Sequence, residues 1–276
     1  MKLPELRIGS MTTAIPIVQG GMGVRVSRAS LAAAVANQGG IGTLSAIGLG
    51  DMEASKNRYV EESNEALASE IREAKSMTDG HLAVNVMGVL SNADEIVKTA
   101  AHEGIKMIVY GAGLPTKLPA LVKDTSVNLV PIISSARVGD LIMRTWDRRH
   151  DRTVDAFILE GPLAGAHLGF SQEQLADPAE FSLEKLLPPV LESVKPYEQK
   201  YQKKIPVIVA GGIYTGADIA RMLSLDADRI ETQCKSGKLR RYGPGLKERE
   251  VFAMKGDVGI WNTGTCRSLR HGSLYA

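Results

Sequence analysis

One histidine stands where an imidazole could do chemistry. His167 lies among small residues in Glu160-Gly161-Pro162-Leu163-Ala164-Gly165-Ala166-His167-Leu168-Gly169-Phe170. There it could accept a proton at neutral pH or donate a hydrogen bond to an anionic substrate. Taken alone it reads equally well as a structural histidine; the flanking glycines, which leave room for a ligand beside the ring, favour function. His81, His102, His150 and His271 fall in charged or turn contexts and read as surface residues. Gly20, Gly21 and Gly23 surround Met22 and would let the backbone approach a flat ligand, although glycines also serve tight turns. Ala210-Gly211-Gly212-Ile213 precedes a helix expected over 216–225, so backbone N–H groups and a helix N-terminus could hold a phosphate. Neither GxGxxG nor a Gly-Lys-Ser/Thr ending is present, which points to a monophosphate-bearing cofactor rather than a dinucleotide or nucleoside triphosphate. Cys234 and Cys266 are too few for a tetrahedral zinc site or a disulfide framework. No metal site is expected, and a reducing compartment is the simpler reading.

These residues need elements to position them. Short Val/Ile-rich runs alternate with longer helical stretches, the pattern of βαβ units around a parallel sheet. Strands are expected at 15–19, 41–46, 82–87, 106–110, 129–133, 156–159 and 205–209, with a weaker eighth at 229–232. Helices are expected from Ser27 as N-cap to Gln38, over 57–77, from Ser91 or Asn92, and after Gly113 with Pro115 just inside. The regular spacing predicts one (β/α)8 TIM barrel with an atypical or incomplete eighth unit, and an open doubly wound sheet is the alternative. In a barrel the C-terminal ends of the strands meet on one rim, so the strand-end residues named above become neighbours. The stretch 165–204 is long for a βα connection and reads either as a lid or as an ordinary surface helix with a long lead-in.

The chain has 276 residues, 44% of them apolar, which is enough for a sizeable core and excludes a disordered chain. A net charge of +2 is too small to imply nucleic-acid binding. No stretch approaches the apolar length of a membrane span or signal peptide, so a soluble cytoplasmic protein is expected. Residues 1–228 are expected to form the barrel. Residues 229–276 change character, rich in Arg, Lys, Ser and Gly with little periodicity, and read as a divergent or frameshifted tail rather than a basic arm for an anionic partner. Without a proper eighth unit the barrel would stay open at one seam.

In order, IPIVQGGMG at 15–23, LAAAVANQGGIGTLSA at 31–46, LAVNVM at 82–87, GAGLPTKLP at 111–119, EGPLAGAHLGF at 160–170 and IPVIVAGGI at 205–213 resemble the nitronate monooxygenase family, also called 2-nitropropane dioxygenase-like flavoproteins. The resemblance spans residues 8–228 and extends to flavin-type enoyl-acyl-carrier-protein reductases. It implies FMN across the barrel mouth. By motif match, Gly21 and Met22 contact the flavin through their backbone, and Asn85 hydrogen-bonds it. Glu160 stands where many members have glutamine, Gly165 matches a flavin-contacting glycine, and Gly211 and Gly212 match the phosphate loop. His167 matches the catalytic histidine. The family's Gly-Thr phosphate segment is missing from Asp226-Ala227-Asp228-Arg229-Ile230-Glu231-Thr232-Gln233-Cys234.

The activity this implies is oxidation of alkyl nitronates with O2 to a carbonyl product and nitrite. One alternative is an NAD(P)H-dependent flavin reductase acting on an enoyl thioester or quinone; the other is a degenerate, flavin-free barrel. The expected partners are a small-molecule substrate and O2, with NAD(P)H as a further candidate and neither nucleic acid nor membrane.

Overall fold

The computed structural model describes residues 5–51, 53, 55–165 and 167–225, together with short strands at 229–232, 240–241, 250–251, 259–262 and 265–268. The chain opens with an antiparallel hairpin, β1 (Leu6–Ile8) and β2 (Met11–Thr13). The alternation that follows is β3 (Ile17–Gln19), α1 (Ala29–Asn37), β4 (Ile41–Ser45), α2 (Lys56–Met77), β5 (His81–Met87), α3 (Ala93–His102) and β6 (Met107–Gly111). It continues through α4 (Leu118–Leu121), β7 (Asn128–Ile133), α5 (Ala136–His150), β8 (Phe157–Glu160), α6 (Gln172–Ala176), α7 (Leu183–Tyr201), β9 (Val207–Ala210), α8 (Gly216–Leu223) and β10 (Arg229–Thr232).

The eight parallel strands β3 to β10 form a closed barrel, because β10 pairs with β9 on one side and with β3 on the other. This corrects the expected open seam. It also carries the barrel past the expected boundary at 228. Weak strand propensity at Arg229–Thr232 is overridden by the backbone groups of two flanking strands, which would otherwise be left unpaired. Beyond the barrel, Arg240–Arg241 pairs with Glu250–Val251 and Gly259–Asn262 with Thr265–Ser268, both antiparallel.

Alternation along the strands separates two cores. Ile41, Ala83, Met107, Val130, Ile158 and Ile208 fill the barrel interior, and Leu6, Ile8 and Met11 of the unexpected hairpin join that cluster. Leu44, Val84, Ile108, Leu129, Leu159 and Val209 face outward and pack beneath the helices.

Several local expectations change on folding. Helix α1 begins after Arg28, not Ser27, and Arg28 supplies no side-chain cap. Glu70 of α2 caps it instead, accepting the Ala29 N–H at 2.8 Å and the Arg28 Nε–H at 2.6 Å. A carboxylate suits a helix N-terminus, but it arrives from a residue remote in sequence. Pro115 lies before α4 rather than inside it. Its carbonyl accepts the buried Trp146 indole N–H at 2.8 Å. Within 165–204, helix α7 runs through Pro188 and Pro189. Its buried face of Leu183, Leu187, Val190 and Val194 packs on β8 and β9, so this part is the barrel's own outer helix. His81 and His150 are tied to the Thr12 and Thr116 carbonyls, which places both in structural roles.

Candidate functional site

The rim begins where β3 leaves the sheet. Its backbone ladder to β4 covers only Val18 and Ile41. Beyond that point the buried Gln19 side chain acts as a substitute strand: its Nε2 donates to the Thr43 carbonyl at 3.0 Å and its Oε1 accepts the Thr43 N–H at 3.2 Å. Gln19 Nε2 also lies 3.0 Å from Ser27 Oγ. The chain after Gln19 is thereby released from the ladder, and Gly20 to Gly23 can turn across the mouth. Sequence reading passed over Gln19 and assigned Ser27 to a helix cap. The available signal was a polar residue ending a buried strand.

Gly21 and Asn85 are in contact at the rim. Asn85 Nδ2 donates to the Gly21 carbonyl at 3.2 Å. A side chain at Gly21 would have no room, since its Cβ would lie 2.3 Å from Asn85 Cβ. Met22 is buried, but its backbone is already engaged: its N–H donates to Ser27 Oγ at 3.0 Å and its carbonyl accepts the Ser27 N–H at 3.0 Å. Both backbone polar groups of Met22 thus already have a partner in Ser27.

On the opposite rim, Glu160 ends β8 in register with Ala210 of β9. It is half-buried and shares the inward face with Ile158. The Gly161 N–H donates to the Ala210 carbonyl at 2.9 Å, and the Ala164 N–H donates to the Gly161 carbonyl at 3.1 Å. Gly211 and Gly212 turn here with φ of +100° and +75°. A Cβ on Gly211 would sit 2.8 Å from the Ala164 nitrogen. The expected phosphate loop is thus a tight, side-chain-free turn packed on the loop after β8.

The helix following that turn does not contribute as expected. Asp218 closes a capping box at the start of α8, accepting the Tyr214 N–H at 3.0 Å and the Thr215 N–H at 2.8 Å through Oδ2. These amides are committed to a carboxylate whose charge would repel a phosphate. Burial works to raise the Asp218 carboxyl, but the hydrogen bonds from Thr215 and Tyr214 outweigh it and hold the group below the usual carboxylate range. A group depressed in this way stabilises the fold above its unfolded pKa and loses that contribution as pH falls through the folded value. Asp218→Asn should cost about 1 kcal/mol near neutral pH, as for loss of a helix cap. The gap in melting temperature from the parent should close on acidification below about pH 4; a gap that persists there contradicts this account. Arg221 does not restore positive charge for a phosphate, since its guanidinium pairs with Glu184 at 3.2 Å. It borders a pocket of about 390 Å³ beside Gly211 and Gly212, whose walls include Pro162, Leu163, Leu183 and Met222.

Gly165 and His167 lie on the loop after β8. His167 is exposed, and among the described residues its ring has no hydrogen bond or ion pair. Ala166, beside it, falls outside the described residues. The loop is anchored farther along: Ser134 Oγ, just beyond β7, donates to the Gly169 carbonyl at 3.0 Å, and Phe170 meets Phe181 edge-on at 6.0 Å. Of the run from Asp226 to Cys234, where the family's Gly-Thr segment is missing, only Arg229–Thr232 is described.

The expected flavin can be tested against the mouth itself. Ser45 ends β4 in register with Asn85, and its hydroxyl is buried without a hydrogen-bond partner among the described residues. A polar ring edge placed there would satisfy it. The mouth and the Gly211–Gly212 turn fit the cofactor, whereas the start of α8 does not.

A family model described as nitronate monooxygenase matches residues 5–103 and 91–232. The chain belongs to the nitronate monooxygenase family. A (3aS,4S,5R,7aS)-5-hydroxy-7a-methyl-1-oxo-octahydro-1H-indene-4-carboxyl-CoA dehydrogenase from Mycobacterium tuberculosis is 30% identical over 212 residues, covering 77% of this chain and 49% of that protein. A nitronate monooxygenase from Paraburkholderia phytofirmans is 29% identical over 253 residues, covering 78% of this chain and 61% of that protein. The solved structure of FabK from Thermotoga maritima superposes with a TM-score of 0.60 at 29% identity, covering 79% of this chain and 58% of that one. The chain therefore spans about half to three-fifths of the length of these relatives. Among the described residues, no helix is long and apolar enough to cross a membrane, and no group of three or more His, Cys, Asp or Glu could hold a metal ion.

Proposed function

We propose that this nitronate monooxygenase family member is an FMN-dependent oxidoreductase of the cytoplasm that oxidises alkyl nitronates with O2, its chemistry confined to the barrel and its tail a divergent extension. The observation that carries the reading is the Gly21–Asn85 contact at the barrel mouth, between residues that match flavin-contacting positions of the family. When bound, FMN supplies the redox chemistry, taking electrons from the nitronate and passing them to O2. Gly21 and the Met22 side chain would hold the ring. Asn85 orients the ring from the end of β5, while Glu160 and Gly165 flank it from the other rim. Gly211 and Gly212 bring main chain against the phosphate without intervening side chains.

His167 hydrogen-bonds the nitronate, or takes the α-proton from a neutral nitroalkane at an imidazole nitrogen. Its exposed loop suits a group that meets substrate arriving from solvent. Purified protein should be yellow. His167→Ala should slow anaerobic flavin reduction by propionate 3-nitronate about tenfold or more, the scale for a lost hydrogen bond to a charged group; reduction at the parent rate would remove that role.

A second reading has specific support, since one relative at 30% identity is a carboxyl-CoA dehydrogenase. In that case the substrate is an acyl thioester, which gives electrons to the flavin in the dehydrogenase direction and receives electrons delivered by NAD(P)H in the reverse direction. Rapid bleaching of bound FMN by NADH or NADPH, and none by nitronates, would select it. A colourless protein that takes up no added FMN would overturn both readings.

A further inference from the structure

Strand β4 carries a feature that the glycine clusters and the motif match do not use. It is buried along its whole length. Ile41 belongs to the barrel-interior cluster and Leu44 to the outer one, so strand alternation turns Thr43 and Ser45 inward. Their exposures are 1% and 2%, and neither hydroxyl has a hydrogen-bond partner among the described residues. The two positions differ in height. Thr43 is in register with Ala83, one layer down, whereas Ser45 is in register with Asn85 at the mouth.

The surroundings of Ser45 are ordered without help from its hydroxyl. Its backbone N–H donates to the Ser27 carbonyl at 2.9 Å, and the Ala46 N–H donates to the Asn85 carbonyl at 3.1 Å. The Asn85 amide is held in turn by the Gly21 carbonyl. Burying a hydroxyl without a partner is unfavourable, and a barrel-mouth position lets a ligand remove the penalty. The hydroxyl both donates and accepts, which matches the alternating carbonyl and nitrogen groups on the polar edge of a flavin ring.

We infer that Ser45 is a cofactor-positioning residue whose hydroxyl hydrogen-bonds the polar edge of a flavin resting on Gly21, beside Asn85. The inference rests on the FMN reading above. It gives Ser45 an effect on free protein opposite to its effect on bound protein. Without flavin, the unpaired hydroxyl is a burden and its removal is neutral or stabilising. With flavin, its removal loses a hydrogen bond.

The test is titration of the full-chain apoprotein with FMN, followed by flavin fluorescence and the visible absorption bands, with thermal unfolding of each apoprotein alongside. Ser45→Ala should weaken FMN binding roughly tenfold and shift the bound flavin's absorption bands, while the apoprotein melts at or above the parent temperature. Thr43→Val, which removes the deeper hydroxyl at nearly constant shape, should leave FMN affinity unchanged and also melt at or above the parent. FMN binding by Ser45→Ala within twofold of the parent would overturn the inference while leaving the FMN reading intact. A Ser45→Ala apoprotein that binds FMN weakly and also melts well below the parent would overturn it in favour of a structural role. Failure of the parent chain itself to bind FMN would defeat the cofactor reading and this inference together.

Discussion

Gly21→Ala is expected to weaken FMN binding by more than tenfold and to lower thermal stability at the same time. The new methyl would lie 2.3 Å from Asn85 Cβ, 2.4 Å from its Nδ2 and 2.7 Å from its Cγ. The nearest of these atoms is the root of the side chain, so a rotamer change does not clear the overlap; the end of β3 or of β5 must move. Overpacking of this kind costs about 1–3 kcal/mol. The movement also breaks the Asn85 bond to the Gly21 carbonyl, so the Gly21 contact and the orienting amide are lost together. Fluorescence titration with FMN reads the first effect and thermal unfolding the second. Adding Asn85→Gly to Gly21→Ala removes the colliding atoms, so the double variant should recover stability without recovering affinity. A non-additive gain of that kind is the sign of direct contact. Parent-like FMN affinity in Gly21→Ala would show that the ring does not rest where proposed.

Asp155→Ala is expected to destabilise the protein by about 3–5 kcal/mol, the scale for removing one member of a buried ionic cluster. Asp155 is buried just before β8, at the N-terminal end of the barrel. Its Oδ2 accepts the Leu129 N–H at 2.8 Å and lies 3.3 Å from the Arg152 guanidinium, while its Oδ1 accepts from Lys203 at 2.7 Å. Arg152 also donates to the Val122 and Val127 carbonyls, so the cluster joins the loop after α4, the approach to β8 and the approach to β9. Alanine would leave two cations and a backbone N–H without their common acceptor. Urea unfolding reads the loss. FMN affinity of the folded fraction should stay at the parent value, because the cluster lies at the opposite end of the barrel from the mouth. A fall in affinity at low urea would mean that the two ends are coupled.

Much of this architecture was legible in the chain. Val/Ile-rich runs with longer helical spacers marked the strands of the barrel from β3 to β9, since a parallel strand buried on both faces is largely apolar. The strand-end residues Gly21, Asn85, Glu160 and Gly211 were legible as a rim because barrel topology alone brings such ends together. The polar members of the rim were harder to find. Gln19 and Ser45 belong to no motif, and their roles depend on what stands across the sheet. Thr43 presents its backbone to Gln19, and Asn85 lies beside Ser45. At the start of α8, where an anion site was expected, Thr215 and Asp218 have the spacing of a capping box, which commits the Tyr214 and Thr215 amides to a carboxylate.

From its residues alone the chain determined its class, its family and the side of the barrel on which chemistry belongs. Those follow from strand periodicity and from the order of glycine-bearing strand ends, both local properties of the sequence. Only the tertiary structure decided that the barrel closes, that Glu70 rather than Ser27 caps α1, that the Met22 backbone is bonded to Ser27, and that the Ser45 hydroxyl is buried without a partner among the described residues. Each depends on which groups meet across distant parts of the chain. Hydrogen-bond satisfaction in a buried interior is a property of such meetings, and no pattern along a single strand contains it.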